Sequence, residues 1–278
     1  MAIQLATKFE PYVDEKFTVE SKKSLLTNTD FDWTGAHTIK IYKVTTAEMN
    51  DYDRAGTGGK NSRYGQIQGL DAVTEEMTLT KDRSFTFAID KLDTDETRMK
   101  VQAASALERQ QREVVIPEVD KYVYNVMCTN AGTKPVALAL TKENIYTEII
   151  KGNAALDNAD VPETNRVIVV TPDVYLLMKQ CKDIIMETDI SNEMRIKGVI
   201  ATIDGSSVIK VPAARLPENF GFMIAHPCAT VAPTKLEDYK IHQDPPGISG
   251  SLVEGRICYD AFVLDNKKNA IYYQANQA

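Results

Sequence analysis

Between Asp93 and Gly132 the chain places apolar residues at helical spacing on both sides of a proline. Met99, Ala103, Ala106, Leu107 and Val114 fall on one stripe, and after Pro117 the stripe resumes in phase with Val119, Tyr122, Val123, Val126 and Met127. Asp93 and Glu96 predict a capping box at the start, and Gly132 predicts the end. Pro117 removes one helical donor and crowds the carbonyl four residues back, which predicts a kink or a restart. Run continuously from Asp95 to Asn130, the helix would span about 50 Å at about 1.5 Å per residue, long for a domain of this size. The other elements must be laid against it.

The first 36 residues carry Phe9, Tyr12, Val13, Phe17, Leu25, Leu26, Phe31 and Trp33 among charges, with no sustained period. An arm of this kind has nothing of its own to bury these groups against, so it is expected to lie on another part of the fold or on another subunit. Trp33 reads equally as an anchor and as a core residue. Next, TIKIYKV (Thr38–Val44) alternates at period 2, as do Met77, Leu79, Phe85, Phe87 and Ile89. Together they predict the two legs of one long hairpin. The polar, glycine-rich stretch Asp51–Gly69 between them is expected to be an interaction loop. Basic and acidic residues balance from His37 to Leu92, so the hairpin is not a basic clamp.

Beyond Gly132 the pattern is that of a compact α/β unit. Thr141 is placed to cap a helix bearing Ile145, Ile149 and Leu156, and RVIVV (Arg166–Val170) reads as a buried strand. Thr171-Pro172 predicts a capped helix with Val174, Leu177, Met178, Cys181, Ile184 and Ile185 on one face. GVIAT and SVIKV flank Asp204-Gly205 as a hairpin, and GFMIA (Gly221–Ala225) is a further strand. Leu252–Leu264 and Ala270–Tyr273 read as two strands joined by the turn DNKKN.

Composition bounds the function. With 278 residues, 43% hydrophobic and 26% charged, the chain suits one large domain or two modest ones. Its net charge of −7 argues against coating nucleic acid by phosphate neutralisation. No apolar run is long enough to cross a bilayer, no signal peptide is recognisable at the start, and the four widely spaced cysteines read as reduced.

The motifs with chemical potential fall short of their patterns. AGTGGKNS (Ala55–Ser62) lacks the P-loop spacing and the following helix. His226-Pro227-Cys228 has no second ligand pair at zinc-like spacing, and Asp51, Asp53 and Asp71 lack the EF-hand order. Ser206 and Ser207 sit in a hairpin turn, and Glu75-Glu76 and Glu237-Asp238 read as solvated surface. The residues predict no catalytic site, no cofactor and no metal.

VVIPEVDKYVYNVM (Val114–Met127) followed by ALDNADVPETNRVIVVTPDVYLLMK (Ala155–Lys179) resembles the major capsid proteins of tailed bacteriophages with the Hong Kong 97-type fold. KGVIATIDGSSVIKVPAARLP (Lys197–Pro217) is similar to that family's strand, Asp-Gly turn and strand, and GRICYDAFVLDNKKNAIYY (Gly255–Tyr273) to its closing strands.

The resemblance implies an α+β capsid fold. Residues 1–36 would be an N-terminal arm, 37–92 an extended two-stranded loop, 93–135 with 251–278 a peripheral domain holding a long spine helix, and 136–250 an axial α/β domain. It implies a structural protein that self-assembles into pentamers and hexamers, forming the icosahedral head around double-stranded DNA without sequence-specific binding. It also implies assembly in the host bacterial cytoplasm and residence in the virion. Expected partners are further copies, a separate scaffolding protein (no cleavable scaffolding segment precedes the arm), a portal at one vertex and a decoration protein. Phe31 and Trp33 in the arm, with Tyr52, Arg54, Arg63 and Tyr64 in the loop, are the expected interface residues, since Tyr, Trp and Arg are enriched at hot spots. Two alternatives stand beside this reading: a cytosolic α/β enzyme with a lid at residues 51–69, and an encapsulin-like shell around protein cargo.

Overall fold

Pro117 has no amide hydrogen for the Glu113 carbonyl, and the helix accommodates this by widening the turn before it. In the computed structural model, which describes residues 21–31, 33, 38–56, 62–65, 69–92, 103–181 and 199–277, helix α1 (Ala103–Gln110) runs into a π-helical segment, Gln111–Val115. Helix α2 (Ile116–Asn130) follows directly, with helical angles at both joints. The expected kink or restart is thus a π turn within unbroken helix, a known way of relieving the ladder around a missing donor. Val119, Val123 and Met127 are buried as their spacing predicts, together with Asp120, Tyr124 and Cys128 on the adjoining line, whereas α1 contributes no buried residue. Gly132 follows the helix for reasons of space. A Cβ there would lie 2.6 Å from the Lys268 carbonyl oxygen, to which the Gly132 amide donates at 2.8 Å. The Asp93–Glu96 capping box, Met99, Ile184 and Ile185 lie outside the described residues.

The chain divides into two compact units, Trp33–Leu79 and the remainder. In the smaller, β1 (Thr38–Val44) pairs antiparallel with β2 (Ala72–Thr78), from Thr38 opposite Thr78 to Val44 opposite Ala72. The expectation of one hairpin with a second leg running on to Ile89 is corrected here. The alternating run breaks at Leu79-Thr80, and β3 (Lys81–Asp90) pairs instead along the whole of β10 (Gly250–Tyr259), with β9 (Thr234–Gln243) on the other side. Gly255 lies opposite Phe85, and its bare backbone leaves room for that ring.

The larger unit also holds a five-stranded sheet of order β12-β7-β4-β6-β5. Its strands are β4 (Val167–Val170), β5 (Val199–Ile203), β6 (Ser206–Lys210), β7 (Phe220–Ala225) and β12 (Ile271–Ala275). β4 and β6 run parallel and the remaining pairs antiparallel. Val167 and Val169 face one core cluster with Val119, Val123 and Met127 of α2. Ile168 and Val170 face another, with Ile145, Ile149 and Leu156 of α3 (Ile145–Asp157) and Val174 and Met178 of α4 (Pro172–Gln180). The unbroken apolar run of β4 is therefore that of a strand covered by helices on both faces.

The local signals hold unevenly. Thr171 Oγ1 accepts from the Val174 amide at 3.2 Å, as the Thr-Pro signal predicts. The predicted hairpin turn has Asp204 at φ +49 and Gly205 at φ +72, the positive pair a two-residue turn requires. The Thr141 cap is corrected: α3 follows Asn144, whose Oδ1 accepts from the Thr141 amide at 2.8 Å. DNKKN is corrected as well, since Asp265–Ala270 forms a 3-10 helix, the expected strand before it divides into β10 and β11 (Phe262–Val263), and neither shares a sheet with β12.

The described part of the N-terminal segment takes the first of its two expected courses and lies on another part of its own fold. Leu26 is fully buried in the cluster around α2, and the Asn28 amide donates at 2.7 Å to Thr230 of the short strand β8 (Thr230–Val231), which pairs with β11 (Phe262–Val263). Leu25 and Leu26 thus find their partners within their own chain: the open edge of β8 and a gap beside α2 take them in. Residues 1–20 lie outside the described residues.

Candidate functional site

The stretch between β1 and β2 brings together four of the six expected interface residues. The Asp53 amide donates to the Arg63 carbonyl at 2.8 Å, which aligns two chain segments ten residues apart and sets Tyr52 beside Tyr64, edge to face with ring centroids 5.0 Å apart. Asp53 Oδ1 accepts from the Gly56 amide at 2.8 Å, closing a turn in which Gly56 has φ +69. Ser62 Oγ accepts from the Tyr64 amide at 3.2 Å. Tyr52 and Tyr64 remain 53% and 78% exposed, so two large rings are preorganised by the backbone and left open to solvent. Arg54 lies in that turn, and the Arg63 guanidinium lies beside Gly56 at its end. Phe31 and Trp33 are not part of this pairing: Phe31 is half-buried and Trp33 is 6% exposed. Residues 57–61 of AGTGGKNS lie outside the described residues.

Sequence reasoning missed a second set of exposed apolar groups on the ribbon. Tyr42 and Val44 lie on the same face of β1 and are 73% and 59% exposed; Met49 and Leu70 in the flanking stretch and Val73 of β2 are exposed too. The signal was present in TIKIYKV, where apolar residues occupy both phases, Ile39 and Ile41 on one and Tyr42 and Val44 on the other. The ribbon is laced by charge across the strands: Lys40 pairs with Glu76 directly opposite at 2.5 Å, and Lys43 with Glu75 at 3.0 Å. A lone two-stranded ribbon is marginal in water, and these apolar groups add exposed surface to it.

The buried ionisable groups of the larger unit are engaged in holding structure. Asp120 accepts from Arg215 Nη1 at 2.9 Å and from Ser21 Oγ at 2.6 Å. Glu148 pairs with Lys151 one helical turn on, at 2.8 Å. His226 Nδ1 accepts from the Cys228 amide at 3.2 Å, so the His-Pro-Cys motif closes a turn, and burial holds the imidazole below its ordinary value. Burial lifts the Cys128 thiol to about 12 and, with hydrogen bonding to Asp260, the Tyr122 phenol to about 12. Such shifts keep both groups neutral and unreactive at neutral pH. Among the described residues no group of three or more His, Cys, Asp or Glu is placed to hold a metal.

No family model matches the chain, and no curated relative does. Solved structures match it closely in fold. One from Mycobacterium phage Che8 superposes with a TM-score of 0.77 at 16% identity, over 97% of this chain and 96% of that one. The capsid structure of the cyanophage P-SCSP1u gives 0.72 at 13%, over 98% and 93%. A virus-like particle from Pyrococcus furiosus gives 0.55 at 12%, over 91% of each chain. Identities this low speak for fold, and coverage this high speaks for the whole of it, the ribbon and the central helix included: the chain has the Hong Kong 97-type fold of tailed-phage capsid proteins.

Proposed function

We propose that the chain is the major capsid protein of a tailed bacteriophage, assembling as pentamers and hexamers into the icosahedral head that encloses double-stranded DNA. The observation that carries this reading is the near end-to-end match to phage shell proteins, ribbon included. The looser match to the virus-like particle leaves the encapsulin-like alternative less favoured, and no lidded enzyme is needed to account for residues 51–69. In this reading residues 1–36 serve as the arm, 37–92 as the extended loop, 93–135 with 251–278 as the peripheral domain and 136–250 as the axial domain. Its role is mechanical and not enzymatic.

Each copy makes several modest contacts, and closure of the shell makes later contacts intramolecular, so weak interfaces sum to a stable container. The Tyr52–Tyr64 pair with Arg54 and Arg63, together with Phe31, supply contacts to neighbouring copies, while Trp33, buried in its own chain, supports them from within. A net charge of −7 suits a wall that holds DNA without gripping phosphates. A separate scaffolding protein, a portal at one vertex and a decoration protein complete the partners. Assembly takes place in the host bacterial cytoplasm and the product resides in the virion. Electron microscopy and light scattering of the purified chain, with and without a co-expressed scaffold, test the reading. Capsomers or closed particles are expected; a strictly monomeric or dimeric protein under all conditions overturns it.

A further inference from the structure

The chain leaves the ribbon at Leu79 and enters the β3–β10 ladder at Lys81, opposite Tyr259. Thr80, between them, has no ladder partner for its amide, and a buried carboxylate takes that place. Asp260, 3% exposed and next in sequence after the end of β10, accepts at Oδ2 from the Thr80 amide at 2.7 Å and the Thr80 hydroxyl at 2.8 Å. At Oδ1 it accepts from the Tyr122 hydroxyl at 2.7 Å and from the Ala261 amide at 2.8 Å. Four donors match the capacity of one carboxylate, so Asp260 is fully engaged. The arrangement is built from three separate parts of the chain: the ribbon exit, helix α2 and the end of β10. Around it, the Tyr259 ring meets Tyr122 edge-on at 5.7 Å and the Lys81 ammonium sits 5.0 Å from the Tyr122 ring centre.

We propose that Asp260 is a positioning residue for the segment that follows the ribbon: it pins Thr80, the first residue of the larger unit after Leu79, to α2 through Tyr122. Hydrogen bonds to a charged acceptor are about twice as strong as neutral ones, and a buried one cannot be replaced by water without opening the site. Any effect of the pin on particle assembly rests on the proposed function. The pin itself does not, and it is measurable in the unassembled chain.

Amide hydrogen exchange on the unassembled protein tests it. In Asp260→Asn the Thr80 amide should exchange about tenfold faster or more, the size expected for losing a charge-assisted bond, while β4 and β7 keep wild-type protection. Thr80→Ser, which retains the hydroxyl, should match wild type; Thr80→Val and Tyr122→Phe should fall between. Unchanged exchange at Thr80 in Asp260→Asn overturns the pin, and so does an equal loss across β4 and β7, which would mark a merely structural role. Should Asp260→Asn fail to fold, Thr80→Val against Thr80→Ser decides by the same comparison. Wild-type protein that never forms particles while Thr80 still loosens overturns the capsid reading and leaves the pin standing. Wild-type particles with no loosening overturn the pin alone.

Discussion

Arg215 donates from Nη1 to Asp120 Oδ2 across 2.9 Å, and both side chains are more than nine-tenths buried. The pair joins α2 to the 3-10 turn Ala213–Arg215, and Ser21 completes the second oxygen of Asp120. Removing either partner leaves a buried charge uncompensated, a cost of about 3–5 kcal/mol. Asp120→Ala and Arg215→Ala should each lower unfolding stability in urea by that order in the unassembled chain. Replacing both with apolar residues of similar volume should cost far less than the sum. Equal, small losses for the two single variants would show that the pair is not desolvated in solution.

Tyrosine ionisation supplies the pH dependence. Burial first, and then nearby carboxylates, lift Tyr122 and Tyr259 to about 12, and burial with Cys128 lifts Tyr273 to about 12. A phenol raised above its unfolded value of about 10 adds stability that is whole below pH about 10 and is lost as pH climbs towards 12. In an alkaline titration followed by tyrosinate absorbance and near-ultraviolet dichroism, a late group of tyrosines should ionise together with the loss of tertiary signal. Reversible titration of all twelve tyrosines near pH 10 with the dichroism intact would contradict these environments.

Much of this architecture was readable because its causes are local. Val119, Val123 and Met127 declare a buried helix face by spacing alone, Thr171-Pro172 declares a helix start, and Asp204-Gly205 a tight turn. Partnerships set by distant chain were not readable. Nothing in Phe85, Phe87 and Ile89 tells whether they continue a hairpin with Ile39 and Ile41 or join β10 more than 150 residues later, and period 2 is satisfied either way. Leu26 looks the same in sequence whether it docks on its own core or on a neighbour. Asp120 lies on the line of Tyr124 and Cys128 beside the apolar stripe, where nothing in the sequence marks it as buried, and its partner Arg215 is 95 positions away. In the candidate site, Tyr52 and Tyr64 were legible as residue types, but their pairing follows from the Asp53–Arg63 backbone bond, which leaves no pattern.

Gly132 separates steric from conformational causes. Its backbone angle is not in the left-handed region, so an alanine there is opposed by space: its Cβ would meet the Lys268 carbonyl oxygen and both the side chain and the Cα of Asn269. Gly132→Ala should force those groups apart and destabilise the chain by about 1–3 kcal/mol, the cost typical of overpacking. Gly205→Ala, with φ +72 and open space around it, should destabilise through backbone strain alone, by about 1 kcal/mol. Adding Asn269→Ala to Gly132→Ala should recover only part of the loss, since the Lys268 carbonyl and the Cα of residue 269 remain. Thermal unfolding of the three variants measures this.

The ribbon tip should be energetically silent within one chain and decisive between chains. Tyr64→Ala removes an exposed ring whose intramolecular contact is one edge-to-face pair, worth about 0.5–1.5 kcal/mol and confined to the ribbon. Unfolding of the larger unit should not change. At an interface a buried tyrosine contributes about 2 kcal/mol or more, and a shell repeats that loss at every copy. Tyr64→Ala, Tyr52→Ala and Arg63→Ala should therefore cut particle yield about tenfold or more in sedimentation assays. Lys40→Ala, which breaks only the exposed pair with Glu76, should leave assembly near wild type, because such pairs contribute about 1 kcal/mol at most. Full particle yield from the Tyr52→Ala, Tyr64→Ala double variant would move the interface off the tip and onto the exposed Tyr42 and Val44 face of β1, where Tyr42→Ser with Val44→Ser is the corresponding test.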